Sequence, residues 1–149
     1  MIRLLNRALD FHGLLEIPGE QNNPTIMSFF KEIGYTWVQG DETAWCSAFV
    51  NYIAKTEGYE YSGKLDARSW LNIIVPIPVP IRGCLVILWR ESIDSWKGHV
   101  GWYINNVPDA PGLINVYGGN QSNMCQTSSY PVDGSYYGLL RYGILKQRR

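Results

Sequence analysis

Metal centres and disulfide frameworks are what this chain is least equipped to build. It carries three cysteines, Cys46, Cys84 and Cys125, and two histidines, His12 and His99. No CxxC pair and no HExxH motif occurs, so the supply is too thin for a zinc site of recognised spacing, and neither a metal nor another cofactor is expected. An odd cysteine count leaves at least one thiol unpaired if pairing is internal. Without a secretory leader, a bridge between Cys84 and Cys125 is disfavoured.

Long apolar runs are also missing. The longest, CLVILW at 84–89, falls far short of the ~18 residues needed to span a bilayer and suits a buried strand. The opening segment MIRLLNRALDFHGLLEIPG is broken by Arg3, Asn6, Arg7 and Asp10, so it reads as an amphipathic helix rather than a signal sequence. The expectation is a protein made in the cytoplasm, with no membrane insertion, that needs another agency to deliver it if it acts outside. Charge of one sign is absent too. Thirteen acidic and thirteen basic side chains cancel, which argues against a nucleic-acid partner held through phosphates. The tail KQRR reads as a solvated end, and the Gly118-Gly119 pair lacks the Walker pattern of a phosphate cradle.

What remains is an ordinary globular composition, long enough for one hydrophobic core and too short for two domains of usual size, so 1–149 is expected to be a single domain. Apolar residues at helical spacing predict a helix within 2–13, through Leu5, Ala8 and Leu9 with His12 a turn further on. Asn23-Pro24 marks a second start, with Ile26, Met27, Phe30 and Ile33 inward and Gly34 as the stop. A third helix is predicted from near Thr43 to Glu57, with Phe49, Tyr52 and Ile53 inward. DARSWLN forms a short helix, and PIPVP then excludes regular structure. Five apolar or alternating runs follow, CLVILW, HVGWYI, LINVY, MCQTSSY and YGLLRYGIL, separated by Gly, Asn, Pro and Asp. Helices first and strands afterwards predict an α+β fold, with an antiparallel sheet packed on the helical half.

Within that frame Cys46 falls in the first turn of the third helix, in DETAWCSAFV. Free N–H groups and the helix dipole favour a thiolate there, although a small residue between Trp45 and Phe49 also suits plain core. A base must decide between the two. His99 stands in GHVG, where strand alternation places it on one face with Gly101 and Tyr103. Alone, such a histidine is as well read as a structural hydrogen-bonding residue. The glycines of VYGGNQSN let the chain turn and aim Asn120 or Gln121 back at the sheet, where a neutral amide could orient the imidazole. The alternative is a turn in which these residues serve the backbone alone.

A cysteine at a helix start, a histidine on a strand and a polar residue at the end of the next strand resemble the papain-like peptidoglycan hydrolases of the NlpC type and their CHAP relatives. The segments EIPGEQNNPTIMSFFKEIG, DETAWCSAFVN, ARSWLN, GHVGWYI and GGNQSN are similar to a branch of that superfamily common in phage and bacterial genomes, over residues 14–142. The resemblance implies an amide hydrolase of peptidoglycan with Cys46 as nucleophile, His99 as general base and acid, and Asn120 as orienting residue. It departs at Gly83-Cys84, where relatives commonly have Gly-Asp. Asp41 and Glu42 would hold a free amine of the stem peptide or simply favour the helix start, and Trp45 would line the cleft. Tyr35 and Gln39 are candidates for a second oxyanion donor, and Arg68 for a partner of one of the acids. The expected partners are a peptidoglycan peptide substrate and, for an exported toxin rather than a phage lysin, a delivery system and an immunity protein. Two rivals stand beside this reading: a wall-binding module in which Cys46 only packs, and a cysteine acyltransferase of the same fold, which would need an acyl channel that the sequence does not display.

Overall fold

The computed structural model describes residues 1–17, 22–36 and 45–149. Asp41, Glu42 and Gln39 lie outside them. The first helix, α1 (Ile2–Leu9), buries a narrow stripe of Leu4, Leu5 and Ala8. It is shorter than the 2–13 segment allowed, since residues 10–13 form turns and both Leu9 and His12 are exposed. In α2 (Pro24–Glu32) the start lies where the sequence puts it. The Asn23 carboxamide oxygen accepts from the N–H groups of Thr25 and Ile26 at 2.9 and 3.4 Å, satisfying two donors that the first turn leaves free. Its buried stripe is Ile26, Phe29 and Phe30, with Met27 and Ile33 half-buried. The third helix, α3 (Cys46–Thr56), is buried along most of its length, and a 3₁₀ helix (Ala67–Asn72) follows it.

Six strands then form one antiparallel sheet: β1 (Val75–Ile77), β2 (Leu85–Arg90), β3 (Gly98–Asn106), β4 (Leu113–Gln121), β5 (Met124–Pro131) and β6 (Tyr137–Ile144), in the spatial order β1-β6-β2-β3-β4-β5. The fold class is therefore α+β, as the order of periodicities indicates. One expectation is corrected. The prolines of PIPVP exclude regular structure in the sequence, yet its first residues belong to β1, which among the described strands pairs only with β6. An edge position asks no ladder hydrogen bond of Pro76 on its outer side, so proline is tolerated there.

The two faces of the sheet bury different cores. Val100, Trp102 and Tyr117 point to the helices and meet Leu4, Leu5, Phe29, Trp45, Phe49 and Trp70. Phe49 and Trp102 interlock edge to face at 5.6 Å, which fixes α3 against β3. A Cβ on Gly119 would stand 2.6 Å from the Trp45 ring, so only glycine lets β4 approach the start of α3 this closely. The opposite face curls on itself and encloses Val86, Leu88, Tyr103, Val116, Tyr130 and Tyr142. The curl is closed by backbone contacts between β5 and β6 and their flanks, including Leu139 N–H to Val132 O at 2.8 Å. His99 projects to this curled face, one residue out of phase with Val100.

Candidate active site

Cys46 is the first residue of α3 and one of the few side chains shared between the helical layer and the mouth of the curled sheet. Its position is held by its neighbour. The Ser47 hydroxyl donates to Lys64 O at 2.7 Å and accepts from the Trp70 indole N–H at 2.9 Å. Asn51, one turn later, donates to Ser47 O and Lys64 O, each at 3.0 Å, and accepts from Gly63 N–H at 2.8 Å. These buried polar residues clamp the start of α3 onto the 62–64 loop. Sequence reasoning missed them; the one available sign was two polar residues, i and i+4, within the apolar first half of the helix.

The Cys46 sulfur shares the cavity with His99, and the His99 charge acts on it together with the backbone of Val100 and Ser47. On the far side of the ring, His99 Nε2 lies 2.9 Å from Gln121 Oε1. The orientation of that amide follows from its other end. Gln121 Nε2 donates to Val116 O at 2.9 Å and to Gln126 O at 2.7 Å, so the oxygen must face the histidine. His99 Nε2 accordingly carries a proton, and Nδ1 is the nitrogen left for Cys46. The Tyr130 ring stacks on the imidazole at 5.2 Å. Gly118 makes the pair possible: a Cβ there would sit 2.8 Å from Gln121 Oε1 and 3.4 Å from His99 Nε2.

Electrostatics sets this cysteine apart. Burial pushes the Cys46 thiol up, but the charge and hydrogen bond of His99, with the backbone donors, outweigh it and bring the thiol below its ordinary value. For His99, burial and the Arg90 charge push down, while the Cys46 charge and the hydrogen bonds to Cys46 and Gln121 push up; the net direction is up. Both shifts favour the thiolate–imidazolium pair. Cys84 and Cys125 are free thiols on opposite faces of the sheet. Burial raises both, Cys125 to about 12, and no cation among the described residues offsets it.

Cys46, His99 and Gln121 share a cavity of about 270 Å³ with Arg90, Ser128 and Tyr137. Asn120 lines it as well, but the hydrogen bond that orients His99 comes from Gln121, which corrects the assignment to Asn120. The reason is local. The glycines do not end β4: the strand continues to Gln121, with a register irregularity between Gly118 and Gln121 and Asn120 at φ +59°. That irregularity rotates Gln121 rather than Asn120 to the histidine. Trp45 is a second correction. It is fully buried, and its indole N–H donates to Glu16 Oε1 at 2.7 Å, so it packs the helical core instead of lining the cleft.

Arg68 pairs with no acid among the described residues. Its guanidinium donates to the carbonyls of Ser92, Ile93 and Lys97, tying the 3₁₀ helix to the β2–β3 loop. Tyr35 donates to Gly63 O at 3.1 Å and does not line the cavity. Among the described residues no cluster of side chains could hold a metal, and no helix is long and apolar enough to cross a membrane. Neither a family model nor a curated protein sequence matches the chain, so the geometry of the site is what a functional reading has to stand on.

Proposed function

We propose that this protein is a cysteine amide hydrolase with a papain-like fold of the NlpC/CHAP kind, acting on the peptide part of bacterial peptidoglycan. The observation that carries the reading is one relay: a thiol at a helix start, sharing a cavity with an imidazole whose far nitrogen donates to a fixed amide oxygen. A packing cysteine needs neither the histidine nor the glutamine.

In this reading the Cys46 thiolate attacks the carbonyl carbon of the scissile amide, forming a C–S bond and an oxyanion. The N–H of Cys46, in the first turn of α3 where a helix leaves its amides without intrahelical partners, is the donor assigned to that charge, and one donor of this kind is typically worth about 3 kcal/mol. His99 then gives its Nδ1 proton to the departing amine as the C–N bond breaks, leaving a thioester. It next takes a proton from water, which attacks the thioester and releases the acid and the thiolate. Throughout, Gln121 keeps the ring from rotating away and stays neutral, so it stabilises the imidazolium through its dipole without pairing off the charge that Cys46 needs.

Digestion of purified peptidoglycan, with the fragments read by mass spectrometry, tests the proposal. New amine and carboxyl ends released by the wild-type protein and absent with Cys46→Ala are the expected result. Equal fragmentation by both proteins, or none by either, would count against it.

A further inference from the structure

Among the described residues, Arg90 is the one guanidinium or ammonium lining the catalytic cavity, and nothing in the proposed bond cleavage uses it. It ends β2 directly opposite Tyr137 of β6, so the two side chains share the face that carries His99. Its Nε is shielded from water and has no hydrogen-bond partner, and no carboxylate among the described residues lies within ion-pair range of its guanidinium. The Nε itself is out of a ligand's reach, but a guanidinium that lines a cavity with no carboxylate paired to it leaves its remaining N–H groups open to an acceptor. The site's own charges point the same way. With Cys46 and His99 as a thiolate–imidazolium pair, they cancel, so among the described lining residues, which include no acid, Arg90 leaves one positive charge in excess. The hydroxyls of Ser128 and Tyr137 in the same lining can serve the second oxygen of a bound anion.

We infer that Arg90 is a carboxylate-binding subsite beside the nucleophile, and that the preferred substrate is an amide whose neighbouring residue carries a free carboxylate. A single guanidinium presents a planar fork that matches a singly charged carboxylate, whereas a doubly charged phosphate would call for more cation than this cavity holds. Unamidated stem peptides carry such carboxylates next to their amide links; amidated ones present neutral carboxamides instead. The inference rests on the proposed hydrolase for its substrate, but the subsite itself does not.

Two measurements keep these apart. The first alkylates Cys46 with iodoacetate and with iodoacetamide, the modified site located by mass spectrometry. Both reagents read the same thiolate, so their rate ratio cancels any change in its population and reports how the cavity treats a carboxylate. The imidazolium contributes to the ratio in every variant that retains it. Arg90→Gln is expected to lower the ratio by about tenfold from wild type, and Arg90→Lys, which keeps the charge, to retain most of it. Ratios equal in wild type and Arg90→Gln overturn the subsite. The second measurement uses wild-type protein alone, so it stands even if the variants fold poorly. A stem peptide with its free carboxylate is expected to be cleaved faster than its carboxamide twin, and equal rates overturn the substrate preference. If neither peptide is cleaved, the hydrolase reading falls while the alkylation ratio still decides Arg90.

Discussion

Cys46 and Cys125 are both buried thiols packed in the helical core, yet their surroundings drive them in opposite directions. Around Cys125 burial acts alone, raising its pKa to about 12 and leaving a small apolar filler. Around Cys46 the same effect of burial is overcome by one imidazole and two backbone donors. Burial of a cysteine therefore says nothing about its reactivity until the cations and donors at the sulfur are counted. Cys84, in the curled-face core, behaves like Cys125.

The largest expected effect comes from removing what distinguishes the two. Cys46→Ala should cut amide hydrolysis by on the order of 10⁴-fold or more with the fold intact, as expected for loss of a covalent nucleophile. Cys125→Ala should leave the rate constant nearly unchanged and cost about 1 kcal/mol of stability, read by denaturant unfolding. Next comes Gln121→Ala, which frees the imidazole to rotate and should lower kcat roughly a hundredfold with little change in KM. Its contrast is Asn120→Gly, which preserves the left-handed backbone at φ +59° and should leave kcat within about threefold of wild type. If Asn120→Gly were the more damaging of the two, the orienting role would return to Asn120. Gly118→Ala should fall between them, because its Cβ intrudes on the His99–Gln121 pair and must displace one side chain.

The smallest of these effects is a shift along the pH axis. With the Cys46 pKa depressed and the His99 pKa raised, the reactive pair forms as pH rises through the former and is lost as pH rises through the latter. Activity should follow a bell between those limits. Gln121→Ala removes a hydrogen bond that favours the charged ring, so it should draw the alkaline limb to lower pH.

Much of the layout was legible in the sequence, for reasons that can be named. Asn23-Pro24 marks a helix start because its side-chain and backbone chemistry are local, and the alternation in HVGWYI sorts His99 from Val100 because strand geometry has period two. Cys46 could be placed at a helix start for the same reason. The choice between Asn120 and Gln121 was not legible, since a one-residue irregularity in β4 decides which side chain turns to the histidine, and no local pattern records it. The place of Trp45 was not legible because adjacency to Cys46 along the chain is not adjacency in space: the start of α3 points successive side chains in different directions, and the indole went to the core. Ser47 and Asn51 stayed invisible because their partners lie in a loop more than ten residues away. Gln39, Asp41 and Glu42, which the sequence offers as an oxyanion donor and amine-binding acids, lie outside the described residues.

The most direct test reads all three cysteines in one sample. Native protein is alkylated with iodoacetamide across a series of pH values, and modification of each cysteine is quantified by mass spectrometry, beside His99→Ala. The expected result is that Cys46 reacts well below the pH at which an ordinary thiol does, that Cys84 and Cys125 stay unmodified until the protein unfolds, and that His99→Ala moves Cys46 to higher pH. Cys46 reacting no faster than its two buried counterparts, or unchanged by loss of His99, would contradict the account.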